Sequence, residues 1–212
     1  MNFMQLRERQ PKFPVTVKTG EGVVELIWNK IEYADGYRVF ASPVGKNHFV
    51  GVINVKGTTA VMKKRANGVP MQYKVKAFRI ADGPDNFFGE SEIVIACPLE
   101  TPRRLTAIVG SDGICTLSWR YNSQCDGFKI YADSNESGKY SFVCYSGKNS
   151  CRLDSFTKSG KVSFVVRSFI MTGHMEKLGV SSAPAEAVLP KSKGAKAVQF
   201  DHSMIRKTAG DY

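Results

Sequence analysis

The chain has 212 residues, 42% of them apolar, 11% aromatic and 23% charged, enough apolar material for a packed core and too much for wholesale disorder. Its net charge of +11 is spread along the length, with Lys63-Lys64-Arg65 the densest run, so it lacks the concentrated basic stripe of a phosphate-binding surface, and nucleic acid is not an expected partner. No stretch reaches the ~18 uninterrupted apolar residues of a membrane helix, and Met1 to Arg9 carries neither the apolar core nor the cleavage site of a secretion signal, so the expectation is cytoplasmic synthesis without a membrane span.

Residues 1–10 read as an N-terminal extension. From residue 11 to 97 the chain is written in short strands. Alternation is explicit in Tyr73-Lys74-Val75-Lys76-Ala77, where every second side chain is apolar and period two means one buried face. Turn pairs such as Glu21-Gly22, Asp35-Gly36, Asn67-Gly68 and Asp82-Gly83 separate the runs. The two prolines of residues 98–102, Pro98 and Pro102, restrict the backbone and predict a short linker with limited swing, two units lying end to end. Residues 103–190 then repeat what came before: Leu26 and Trp28 return 91 positions later as Leu117 and Trp119, Gly36-Tyr37-x-Val39 as Gly127-Phe128-x-Ile130, and Tyr73-x-Val75 as Phe164-x-Val166. The chain is thus two copies of one unit. About seven strands per copy, each with one apolar face, must close against a second sheet, which predicts an all-β protein of two tandem sandwiches. Residues 191–212 form a basic tail outside the repeat.

The order and spacing of Leu26-x-Trp28, Ala34-Asp35-Gly36-Tyr37-x-Val39, Tyr73-x-Val75-x-Ala77 and Gly89-x-Ser91 resemble a fibronectin type III domain. Leu117-x-Trp119, Asp126-Gly127-Phe128-x-Ile130, Phe164-x-Val166-x-Ser168 and Gly179-x-Ser181 look like a more divergent member. The resemblance covers residues 11–190 and implies tandem immunoglobulin-like sandwiches without an inter-sheet disulfide. It also implies a corner tyrosine at Tyr73, whose hydroxyl bonds back to the backbone. Phe164 cannot make that bond, so the second copy is expected to be the less stable when isolated. Five cysteines without a C-x-x-C pair are expected as free thiols. Cys144 and Cys151, on either side of a turn, are the two that could pair.

Chemistry needs convergent groups, and the sequence offers none. His48, His174 and His202 fall in different copies or in the tail and begin no H-x-x-x-H pair. Gly147-Lys148-Asn149 lacks the Ser/Thr and upstream glycine of a phosphate loop, and Cys115, at the inward place of Val24, reads as core. No enzyme, cofactor or metal is expected. Recognition by loop tips is. Phe87 next to Phe88 is either a contact residue or lies flat on its own domain. Phe88 aligns with Leu178 at an offset of 90 and reads as structural. Met171, His174 and Met175 form the matching tip of the second copy, and Phe200, Met204 and Ile205 in the tail either anchor to a partner or play no part. The resemblance implies a non-catalytic structural or adaptor protein, a spacer and docking module for other protein subunits of a larger assembly such as a phage virion. The alternative is a module that binds carbohydrate, such as surface glycan, or another acidic polymer.

Overall fold

The computed structural model describes residues 12–83, 85–154 and 159–190. Apart from one short 3-10 turn, Ile80–Asp82, the regular elements among them are β-strands. The first copy contains β1 (Val15–Gly20), β2 (Val23–Trp28), β3 (Gly36–Pro43), β4 (Val50–Val55), β5 (Thr59–Met62), β6 (Met71–Phe78), β7 (Phe87–Glu90) and β8 (Val94–Ala96). The second contains β9 (Arg103–Val109), β10 (Cys115–Arg120), β11 (Gly127–Asp133), β12 (Ser141–Ser146), β13 (Ser150–Leu153), β14 (Gly160–Thr172), β15 (Met175–Leu178) and β16 (Ala185–Leu189). In each copy a three-stranded sheet, ordered β1-β2-β5 or β13-β10-β9, faces a larger one, ordered β4-β3-β6-β7 with β8 on β6, or β12-β11-β14-β15 with β16 on β14. The pairs of these strands are antiparallel, and an isolated bridge joins Phe13 to Ser91 in parallel. Eight segments stand where seven strands are expected because the last strand of each sandwich is broken into two.

The break has a local cause. Ser91 is fully buried; its N–H donates to the Val75 carbonyl at 2.8 Å and its Oγ accepts from Val75 N–H at 2.8 Å. A side chain thus takes over a ladder position between β7 and β8. Ser182 does the same to Val166, at 2.9 and 3.0 Å. Ser182, rather than Ser181, is therefore the counterpart of Ser91. The alignment of Phe88 with Leu178 changes too. Phe78 pairs with Phe87 and Phe169 with Leu178, while a register shift between Ala77 and Phe78 makes Phe88 the extra residue of a bulge. Phe88 is buried, as a structural residue should be, but Leu178 corresponds to Phe87.

Two separate cores follow from the alternation. Leu26, Trp28, Tyr37, Val39, Tyr73 and Val75 fill the first, and Leu117, Trp119, Phe128, Ile130, Phe164 and Val166 the second. Trp28 meets Tyr37 edge-on with ring centroids 5.3 Å apart, and Trp119 meets Phe128 the same way at 5.1 Å. Both indole Nε1 atoms are buried without a partner among the described residues. The two tryptophans thus occupy equivalent surroundings down to the unpaired donor.

The corner expected at Tyr73 takes a different form. Burial pushes the Tyr73 hydroxyl up in pKa, and the Arg65 guanidinium that engages it works the other way. In the first copy the tyrosine hydroxyl that reaches the backbone is that of Tyr37, which accepts the Ile31 N–H at 2.8 Å. Phe128 replaces Tyr37 in the second copy, and there the equivalent N–H, of Asn122, goes to Glu100 Oε2 at 3.0 Å. Phe164 at the place of Tyr73 therefore does not by itself make the second copy the less stable. What the second copy lacks in a tyrosine, the segment before it supplies as a carboxylate.

That segment is largely inside. Cys97, Pro98 and Leu99 are buried. The Pro98 carbonyl accepts Gly68 N–H at 2.8 Å, and the Glu100 carbonyl accepts Ser168 Oγ–H at 3.1 Å. Glu100 Oε2 also takes the Ser123 hydroxyl at 2.7 Å. Glu21 of the first copy reaches forward to Thr101 N–H at 3.4 Å and to the Arg103 guanidinium at 2.7 Å. Gly68 lies so close to the second copy that an added Cβ would stand 2.3 Å from the Gln124 carbonyl oxygen, and its φ of +73° is one that glycine alone adopts readily.

Candidate functional site

Strands β3 and β6 bury alternate side chains, so the residues between them face out from the larger sheet. In the first copy that outer face is a ladder of rings and cations. Phe87 is half-buried between Phe40 and Phe78, at centroid distances of 5.5 and 6.4 Å. Arg38 stacks over its ring at 5.4 Å, and Lys76 lies 5.7 Å from Phe87 and 5.6 Å from Phe40. Lys74 sits 4.6 Å over Phe49. Carboxylates balance the cations: Asp85 is 2.6 Å from Arg38, and Glu90 is 2.9 Å from Lys76 and 3.3 Å from Lys74. Burial works against the charged form of Glu90, but the two ammonium groups hold its pKa below the ordinary value. Phe87 thus packs edge-on against two rings of its own domain while keeping part of its surface open.

The second copy repeats this face at the same offset. Lys129 stands where Arg38 does, Tyr131 for Phe40, Phe169 for Phe78 and Glu176 for Asp85. Lys129 Nζ is 2.6 Å from Glu176, and its ammonium lies 5.1 Å from the Tyr145 ring and 5.8 Å from that of Phe142. Desolvation opposes the charge on Lys129, yet its bonds to Glu176 and Tyr145 raise its pKa overall. Leu178 provides no ring at the place of Phe87, and the aromatic path shifts to the edge strand: Tyr131 to Phe142 at 5.9 Å, Phe142 to Tyr145 at 4.8 Å, Tyr145 to Phe169 at 5.7 Å. Phe142 and its neighbour Val143 are left 48% and 38% exposed, much as Val50 and Val52 are on the edge strand of the first copy, at 54% and 41%.

Met171, His174 and Met175 are all exposed and share the β14–β15 hairpin. Asp126 fixes the hairpin by accepting Met171 N–H at 2.6 Å. Met171 pairs with Glu176 in the ladder, which puts it on the Lys129 side of the sheet, continuous with the ring path. Phe87 belongs to the other sandwich. Phe200, Met204 and Ile205 lie outside the described residues. The sequence reading passed over Arg38, Phe40, Lys76, Lys129, Phe142 and Tyr145. For Arg38, Phe40, Lys76 and Lys129 the signal was present, because each flanks a core residue in an alternating strand, but alternation marks such positions only as outward; Phe142 and Tyr145 lie on an edge strand without that alternation.

The two-sheet strand order, the buried Trp beside an aromatic ring and the broken last strand recur in both copies. Each copy has the fibronectin type III fold. Among solved structures, the chain is similar to a two-domain fibronectin type III segment from chicken tenascin, with 18% identity, 84% of this chain and 98% of that chain covered, and a TM-score of 0.45. It is similar also to the FN1-FN3 domains of chicken CNTN1, with 19% identity, 86% and 69% covered, and a TM-score of 0.39. No family model and no curated protein matches the chain. Among the described residues no helix is long and apolar enough to cross a membrane.

Proposed function

We infer that the chain is a non-catalytic structural or adaptor protein in which two fibronectin type III sandwiches are held as a fixed pair. They act as a spacer and present their outer sheet faces to other protein subunits of a larger assembly. The observation that carries this reading is the buried connection: Pro98 and Leu99 are inside, Glu21 and Gly68 of the first copy and Ser168 of the second bond to it, and Glu21 reaches past it to Arg103. A flexible tether needs none of this, whereas a spacer must transmit geometry from one module to the next. The hairpin carrying Met171, His174 and Met175, continuous with Phe142 and Tyr145, is the face we assign to docking, since exposed Met and aromatic side chains suit protein partners.

Mass spectrometry of what co-purifies with the untagged native protein tests this. One or more protein subunits in fixed ratio are expected, and a phage particle is the form of assembly we expect them to define. Recovery of a free monomer alone contradicts the reading. A second reading, a module for carbohydrate or acidic polymers, draws on the Lys and Arg side chains over the rings of both faces. Those cations already face carboxylates, so the protein is expected to leave a heparin column at low salt. Retention to high salt would favour the second reading.

A further inference from the structure

Cys144 and Cys151 stand on strands of different sheets. Cys144 is on β12, the edge of the larger sheet, opposite Ile130, and Cys151 is on β13, the edge of the smaller one, opposite Leu117. The two edges run along the same side of the second sandwich, and their sulfurs are 3.3 Å apart as free thiols. The first copy places Ile53 opposite Val39 and Ala60 opposite Leu26, so ordinary core packing fills this corner where no thiols are present. Both cysteines are half-buried at the margin of the second core.

We propose that Cys144 and Cys151 form an oxidation-sensitive staple: a small disulfide oxidant converts the dithiol to an intramolecular disulfide that locks the two sheets of the second sandwich together. The step balances. Cys151 as thiolate attacks one sulfur of glutathione disulfide and expels a glutathione thiolate. Cys144 then loses its proton, attacks Cys151 Sγ and expels the second glutathione, so two protein thiols are oxidised while one glutathione disulfide is reduced to two glutathione thiols. Cys151 is suited to attack first, because the hydrogen bond from Cys144 lowers its pKa against the effects of burial and Asp154, while the same bond pushes Cys144 up. The sulfurs have to close from 3.3 Å to ~2 Å, and both cysteines stand on edge strands, which are free to give on one side.

The other thiols are placed against competition. Burial pushes Cys97 up to about 11 and raises Cys115 and Cys125. Cys115, however, lies near enough to Cys151 for the two charges to interact, so it is the rival to watch.

The test uses the full-length protein equilibrated in oxidised and reduced glutathione, quenched by alkylation and mapped by mass spectrometry after trypsin. Lys148 lies between the two cysteines, so cleavage leaves two peptides joined only by the new bond. The expected result is that joined pair, released by dithiothreitol and absent in Cys144→Ser and Cys151→Ser. It should come with a rise of about 5–10 °C in the melting of the second sandwich and no change in the first. Alkylation of both thiols in oxidising buffer, stable glutathione adducts on either, or a Cys115–Cys151 link would each overturn the proposal.

Discussion

Leu26 and Leu117 show how much one residue decides. Each is fully buried at the centre of a three-stranded sheet, each beside a tryptophan two positions on, and the repeat marked the two as equivalent positions. Leu26→Ala and Leu117→Ala are each expected to cost about 2–5 kcal/mol in chemical unfolding, on the transition of their own sandwich. Asp133 was not legible in the same way. It is buried, and it accepts Asn135 N–H at 3.0 Å, Ser137 Oγ–H at 3.2 Å and Gly138 N–H at 2.6 Å. The sequence showed only one acidic residue before a turn, and the convergence of donors on it depends on the folded loop. The bond from Asn135 and its companions hold the Asp133 pKa below the ordinary value, so its contribution is present at neutral pH and is lost as pH falls through the acid range below ~4. Asp133→Asn should therefore melt below the wild type at pH 7, and the gap should close as pH drops past that value. A gap constant over pH would contradict the assignment.

At the scale of elements, the strands and their order were readable because period-two alternation and a 91-residue offset both follow from burying one face. The bulge at Phe88 and the shift from Ser181 to Ser182 were not readable, since a single inserted residue changes the register without changing the pattern of residue types. The connection was half legible. Two prolines announced restricted backbone, but only the fold shows that Leu99 is buried and that Glu100 serves Asn122 and Ser123. Glu100→Ala leaves those two donors without their carboxylate and is expected to lower the stability of the second sandwich by about 1 kcal/mol, measured as a shift of its denaturant midpoint with the first unchanged.

For the whole molecule, the duplication gives two cores that share no residue, and the short connection ties them. Gly68 is the residue on which this can be tested most sharply. Gly68→Ala drives a Cβ toward the Gln124 carbonyl and strains a positive φ, so it should loosen the junction while both sandwiches keep their folds. Amide spectra with intact core resonances and shifts confined to residues 65–70, 97–103 and 121–126 are the expected outcome. The ring-and-cation faces were the least legible feature at this scale, because side chains from several strands meet there only when the sheet assembles.

Residual dipolar couplings of the full chain in a dilute aligned medium measure directly whether the two sandwiches move as one. A single alignment tensor that fits both, lost in Gly68→Ala, is the result expected of a fixed pair. Two tensors of different magnitude in the wild-type protein would show independent domains and contradict it.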